Sequence, residues 1–296
     1  MSKTLPLTLL CEDFPHYFGS AFYGQIYAGI LQRVAARGLS IRLLHKTAQL
    51  KQLKPSKTQG LIFVGRPSKV VETWLKQKHD FCIVMACHPL QASGIASVTP
   101  DGKAGIFSVT QHLIKNGHRK IAYVSGFSLS TDAEGRTRHQ GFLAALKKSK
   151  IKPRPALVFY HDLHDIKNID QTFARLLKSK VSAVVFMADV MAYAFYVYCE
   201  RRKIKIPQDI SVVGFDGIAR PSGIQGPKLS TYKIDVAALG QAAVDMVLQA
   251  KPRSTTFKGR LVSGRSVHDR RQKNPTSFPP PIAVEGRLRR ESSLEL

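Results

Sequence analysis

Ten histidines and four cysteines are the side chains of this 296-residue chain best suited to hold a metal or to attack a substrate. Their placement argues against both roles. Cys82 and Cys87 lie five apart in one apolar, strand-like run, where alternation sends them to opposite faces. Cys11 and Cys199 also sit in apolar runs, which reads as reduced, buried thiols rather than a disulfide or metal framework. No zinc-ligand spacing is built around the histidines, so no metal is expected. The segment Gly60-Leu61-Ile62-Phe63-Val64-Gly65-Arg66-Pro67 has the glycine spacing of a phosphate loop. It lacks the Lys and the Ser or Thr that such a loop needs, and its interior is a run of strand formers. A Gly-x-Ser-x-Gly elbow, a metalloprotease histidine pair and a dinucleotide fingerprint are missing from the sequence. The expectation is a protein that is not an enzyme and uses no cofactor.

The formal charge of +25, from 45 Lys and Arg against 20 Asp and Glu, invites a nucleic-acid reading. The basic residues are spread along the whole chain, however, and no basic helix interleaved with aromatics stands out. A basic, solvated surface is the preferred reading. The densest cluster, Lys251 to Lys273, falls in a Pro/Ser/Thr-rich, loop-like stretch. No run approaches the roughly 18 apolar residues needed to cross a bilayer. Glu12 and Asp13 interrupt the N-terminal apolar patch too early for a secretory signal, so a cytoplasmic location is expected.

The elements that must position any site alternate regularly. Strand-like runs cover Leu5–Cys11, Ser40–Leu44, Gly60–Val64, Phe81–Ala86, Lys120–Ser125, Ala156–Tyr160, Ala183–Met187 and Ser211–Phe215. Helical patterns cover Ala21–Arg37, Val70–Gln77, Gly102–Asn116, Arg136–Lys148, Ile169–Leu177 and Val190–Lys203. Such alternation predicts an α/β protein with doubly wound parallel sheets. The pattern restarts near Gly117, which suggests two lobes. Open sheets bind ligands beyond the carboxyl ends of their strands, so a ligand in the cleft should touch residues just after strands in both halves.

Several stretches carry a family resemblance. They are Gly117-His118-Arg119-Lys120-Ile121-Ala122-Tyr123-Val124-Ser125-Gly126, Arg136-Thr137-Arg138-His139-Gln140-Gly141-Phe142 and Ile206-Pro207-Gln208-Asp209-Ile210-Ser211-Val212-Val213-Gly214-Phe215-Asp216. Together with Gly60-Leu61-Ile62-Phe63, Pro227-Lys228-Leu229-Ser230-Thr231 and Ala238-Leu239-Gly240-Gln241-Ala242-Ala243, they resemble the LacI/GalR regulators in order, from Leu5 to about Gln249. The resemblance implies the type I periplasmic-binding-protein-like fold. Its N-terminal lobe is expected over 1–117 plus about 234–277, and its C-terminal lobe over 118–233 plus about 278–296. Glu285-Gly286-Arg287-Leu288-Arg289-Arg290-Glu291-Ser292-Ser293 resembles the family's closing strand. Ser2-Lys3-Thr4 resembles the linker after the hinge helix, and the headpiece before it is expected to have been trimmed rather than to be missing by descent.

The resemblance also implies a ligand site. Arg138 matches an arginine that grips sugar hydroxyls or an acidic group, a task its fork of donors suits. Arg136 either supports the site or lies on the surface. Asp216, just after its strand, is placed to accept hydroxyl protons. Asp101 matches a family aspartate after a first-lobe strand, with turn chemistry an equal explanation. Phe22 and Tyr23 match an aromatic pair that stacks on a sugar face, with core packing as the alternative. Asp189 follows Ala188 where the family has an Asn-Asp pair, Leu163 stands where an aromatic platform is common, and Gly217 replaces a frequent second aspartate. These departures make one wall less polar. Neither Arg138 nor Asp216 is expected in a core.

The implied function is a ligand-sensing and dimerisation module of a transcriptional repressor, with a sugar or sugar derivative in the interlobe cleft. Operator DNA is expected to bind only through the headpiece, and the protein to be a homodimer without membrane contact. Tyr193, Tyr196 and Val197 mark either the dimer face or ordinary core. A solute-binding protein for sugar uptake is the alternative. The spread of charge generates a test: a duplex of random sequence should bind this chain with a Kd of about 10⁻⁴ to 10⁻⁶ M at physiological salt. Fluorescence anisotropy should show that affinity collapsing as salt rises, and tight, salt-resistant binding would refute the solvated-surface reading.

Overall fold

Strands whose residues are nearly all apolar have to be covered on both faces, and the chain meets that demand twice. The computed structural model describes residues 5–12, 20–45, 49–50, 53, 58–90, 94–130, 132–162 and 168–271. The first half supplies β1 (Leu7–Leu10), α1 (Tyr23–Ala36), β2 (Ile41–Leu44), β3 (Gly60–Val64), α2 (Lys69–Leu75), β4 (Cys82–Ala86), β5 (Ile95–Pro100) and α3 (Gly102–Lys115). The second half supplies β6 (Ile121–Ser125), α4 (Ala133–Lys148), β7 (Val158–Tyr160), α5 (Ile169–Lys178), β8 (Ala183–Phe186), α6 (Asp189–Arg201), β9 (Ser211–Asp216), β10 (Ser230–Lys233), α7 (Val236–Val247), β11 (Thr255–Phe257) and β12 (Arg260–Val262). Among the described residues there are two six-stranded sheets, ordered β11-β5-β4-β3-β1-β2 and β12-β10-β9-β8-β6-β7. All pairings are parallel except β12 against β10.

The expected α/β architecture of two doubly wound lobes is present. The segment between β4 and α3, read from sequence as a loop, contains strand β5. Its Ser, Thr and Pro give it too little apolar character to be recognised, but it pairs with β4 from Ile83↔Ile95 to Ala86↔Val98. Cys87 is not part of β4. It follows the strand with φ 85°.

The chain crosses between lobes at places other than those expected. Helix α3 packs on β8, β9, β10 and β12 of the second sheet, so the first crossing falls at Pro100–Asp101 and not at 117. Its Gly105 makes that contact close, since a Cβ there would lie 2.3 Å from the Phe215 ring and 2.6 Å from that of Tyr232. The second crossing falls between β10 and α7. The third comes between β11 and β12, far ahead of the expected 278. The returning strand is therefore Arg260–Val262, and the 285–293 stretch proposed for it lies outside the described residues. The three crossings run side by side: the Asp101 amide donates to the Phe257 carbonyl at 2.9 Å, and the Gly259 amide to the Tyr232 hydroxyl oxygen at 2.9 Å.

Each helix that opens after one of the first two crossings is capped by an aspartate. Asp101 accepts from the Ala104 amide and Asp235 from the Ala238 amide, both at 3.0 Å. In the second lobe, Tyr193 and Tyr196 are 5% and 2% exposed. These two are therefore ordinary core, while Val197 is half-buried and Val190 on the same helix is exposed. In the first lobe α1 and α7 touch backbone to backbone. A Cβ on Gly240 would lie 2.2 Å from the Ile26 carbonyl oxygen, and one on Gly29 2.0 Å from that of Ala237. Gly240→Ala must therefore push two helices apart, an overpacking that costs about 1–3 kcal/mol. Urea denaturation should show a lower midpoint with an unchanged slope.

Candidate functional site

Where the carboxyl ends of the two sheets face each other, charged side chains meet from both lobes. Arg66 follows β3 and His88 follows β4, on the first lobe. Asp132 caps α4, accepting from the Gly135 amide at 2.7 Å, and Glu134 lies in that helix's first turn. Both carboxylates thus sit at a helix N-terminus, where the helix dipole favours negative charge. Arg66 pairs with both of them, at 2.9 Å to Glu134 Oε2, and its guanidinium lies 3.6 Å above the Phe127 ring. His88 Nδ1 meets Glu134 Oε2 at 2.7 Å, and the Tyr23 hydroxyl meets His88 Nε2 at 2.5 Å. A carboxylate only accepts, so Nδ1 is the donor; in the neutral imidazole Nε2 then accepts from Tyr23.

Arg138 lies one turn after Glu134 on α4 and completes the cluster. It pairs with Glu134 Oε1, donates to the Met187 carbonyl oxygen at 2.5 Å, and stands 3.9 Å from Asp216 Oδ1. Its guanidinium is stacked 4.1 Å from the Phe215 ring centre, and its stem lies against Gly102, where a Cβ would come within 2.8 Å. Arg138 is 4% exposed and Asp216 8%. This corrects the expectation that neither is in a core.

Burial alone would push the Glu134 carboxyl up. Arg138, His88 and Arg66 together overcome that and hold it well below the usual carboxylate range. Asp216 and Asp189 go the other way. Burial raises Asp216 and the more distant Arg138 offsets this only in part; burial and the neighbouring Asp216 raise Asp189.

Asp189 is fully buried, and its oxygens accept from the Gly217 and Ile218 amides at 2.8 and 3.1 Å and from the Thr231 hydroxyl at 2.7 Å. It lies over Gly214, whose Cβ, if present, would sit 2.1 Å from Oδ1. Asp189 thereby fixes the turn that follows Asp216. That turn begins with Asp216 itself at φ 119°, a costly conformation for a residue with a side chain. Cys87, beside His88, is also at positive φ. Both outliers sit at strand ends facing the cleft.

The structure brings Arg138, Asp216, Asp189 and Tyr23 into one place. Phe22 packs its ring edge-on to Tyr23 at 5.3 Å between centroids, and partly against the core. Asp101 serves as a helix cap beside Gly102, and Leu163 lies outside the described residues. Sequence reading missed Arg66, His88, Asp132 and Glu134. The post-strand rule pointed to the first two, but many polar residues satisfy that rule. A cavity of about 830 Å³ lies away from this cluster, on the outer side of the second lobe, bounded by Phe142, Leu143 and Ile151. Among the described residues no group of three or more His, Cys, Asp or Glu could hold a metal ion. No helix among them is long and apolar enough to cross a membrane.

Comparison with known proteins gives this geometry a context. Residues 110–271 match the family described as periplasmic binding protein-like domain. The HTH-type transcriptional repressor PurR of Glaesserella parasuis is 32% identical over 146 residues, covering 49% of this chain and 42% of that protein. PurR of Yersinia enterocolitica is 28% identical over 235 residues, covering 75% of this chain and 67% of that protein. The match thus spans 42% to 67% of the length of these relatives. Among solved structures, the transcriptional regulator CelR in complex with cellobiose superposes with a TM-score of 0.76 at 21% identity, over 89% of this chain and 85% of that one. The family match covers more than half of the sequence, and the chain belongs to the periplasmic binding protein-like domain family.

Proposed function

We propose that the chain senses a small molecule, a sugar or sugar derivative, in the interlobe cleft and thereby controls operator binding by a cytoplasmic repressor. The observation that carries this is the meeting of Tyr23, Arg66 and His88 from one lobe with Glu134, Arg138 and Asp216 from the other. A ligand touching both sets has a different affinity for the open and closed poses, which is the thermodynamic requirement for a switch. The repressor relatives favour this reading over sugar uptake, and the cellobiose bound to CelR supports the sugar class. Operator contact is assigned to a helix-turn-helix headpiece, as the names of the relatives suggest.

The assignment of Asp216 gives a direct test. Burial raises the Asp216 carboxyl to about 7, so it is ionised at pH 8.5; hydrogen bonds to a charged group are worth about 1.5–3 kcal/mol, and at that pH Asp216→Asn should weaken effector binding about ten- to a hundredfold. A thermal-shift screen of sugars on the wild type identifies the ligand, and calorimetry then compares the two proteins. Asn is nearly isosteric and spares the buried arginine. Equal affinities for wild type and variant would place the site elsewhere. Control of paired operator half-sites also calls for a twofold dimer. Light scattering at tens of micromolar protein should give twice the chain mass, and a monomer at that concentration would refute this part of the proposal.

A further inference from the structure

Glu134 occupies the middle of the cleft as an anion would. Its Oε2 takes Arg66 at 2.9 Å and His88 Nδ1 at 2.7 Å, and its Oε1 takes Arg138. The donors come from both lobes, so this one carboxylate uses the same groups that would otherwise grip a negatively charged effector. Asp132 takes up the rest of Arg66. Both arginines of the cluster are therefore matched by carboxylates of the chain itself, before Asp216 and Asp189 are considered.

We propose that Glu134 is a specificity-determining residue, a built-in anion that excludes carboxylate- and phosphate-bearing effectors and restricts the cleft to uncharged, hydroxyl-rich ones. This rests on the reading of the cleft as the effector site. A second anion would meet Glu134 and Asp132 at close range in a buried space, where like charges repel most strongly. An uncharged polyol meets no such penalty. It can give a hydroxyl proton to Asp216 and accept from donors still unused. Arg66 Nε and Arg138 Nε are both buried without a hydrogen-bond partner, and each has one N–H that a neutral oxygen reaches only when the cleft opens around it. Arg138 thus keeps its place at the site while one terminal nitrogen is committed to Glu134 and the other to the Met187 carbonyl oxygen.

Removing the internal anion should convert the cluster into a site for external ones. Inorganic phosphate, titrated calorimetrically at pH 7.5, is the probe for the wild type, Glu134→Ala and Glu134→Gln. Glu134→Ala leaves a carboxylate-sized space between Arg66, His88 and Arg138, and should bind phosphate at least about tenfold more tightly than the wild type. Glu134→Gln keeps the shape and removes the charge, so a smaller gain is expected. Thermal melts establish that each variant is folded. The proposal is overturned if the wild type binds phosphate as tightly as Glu134→Ala, or if folded variants show no gain. A second arm needs only the wild type: glucose and glucose 6-phosphate, or any sugar found in the screen and its phosphate monoester, are compared by thermal shift. Stabilisation by the phosphorylated partner over the free sugar overturns the proposal even if both variants unfold. Failure here leaves the cleft reading intact, whereas unchanged effector affinity in Asp216→Asn removes the cleft reading itself.

Discussion

A carboxylate withdrawn from water is tolerated only where its charge is paired and its oxygens are hydrogen-bonded, and Glu134 is the carboxylate around which this molecule closes. Its partners cannot come from one lobe. Arg138 is supplied by the same helix, but Arg66 and His88 stand at the ends of β3 and β4 across the cleft. The closed arrangement of the lobes and the satisfaction of this charge are one physical fact. The surroundings are built to keep it: Phe127 and Phe215 lie under the two guanidiniums, Tyr23 completes the second nitrogen of His88, and the N-terminus of α4 adds its own partial positive charge.

Movement of the lobes has to pass through the three crossings, and these are tied rather than loose. Asp101 and Asp235 cap the helices that begin just after the chain changes lobe, and the Asp101 amide also bonds to the last residue of β11. Cys87 and Asp216, two of the five non-glycine residues at positive φ among the described ones, occupy the opposite situation at strand ends beside the charged cluster, where the backbone is strained. Asp189 shows how that strain is maintained: it contributes no free oxygen to the cleft and instead holds three groups around the Asp216 turn.

The buried carboxylates also divide the cleft electrically. Glu134 is held ionised by its cations, whereas Asp216 is displaced upward by burial and by Glu134, and Asp189 by burial and by Asp216. One side of the cleft is therefore a neutralised ion cluster and the other a pair of acceptors with little cationic support. A ligand contacting both faces two different chemistries within a few ångströms, which is how a small site discriminates.

Strand and helix alternation, the uniformly apolar central strands and the ordered matches from Leu5 to Gln249 were sufficient to establish two doubly wound lobes. These features are local: burial on both faces demands apolar runs such as Gly60–Val64, and such runs can be read one segment at a time. Strand β5 escaped because its Ala, Ser, Thr and Pro borrow their strand character from neighbours on either side. The lobe crossings at Asp101 and between β11 and β12 escaped because membership of a sheet is a matter of pairing partners, which no segment carries in itself. The Glu134 cluster was beyond reach for the same reason. Arg66, His88 and Glu134 are 22 and 46 residues apart along the chain, and only the folding of both lobes against each other brings their charges within hydrogen-bond distance.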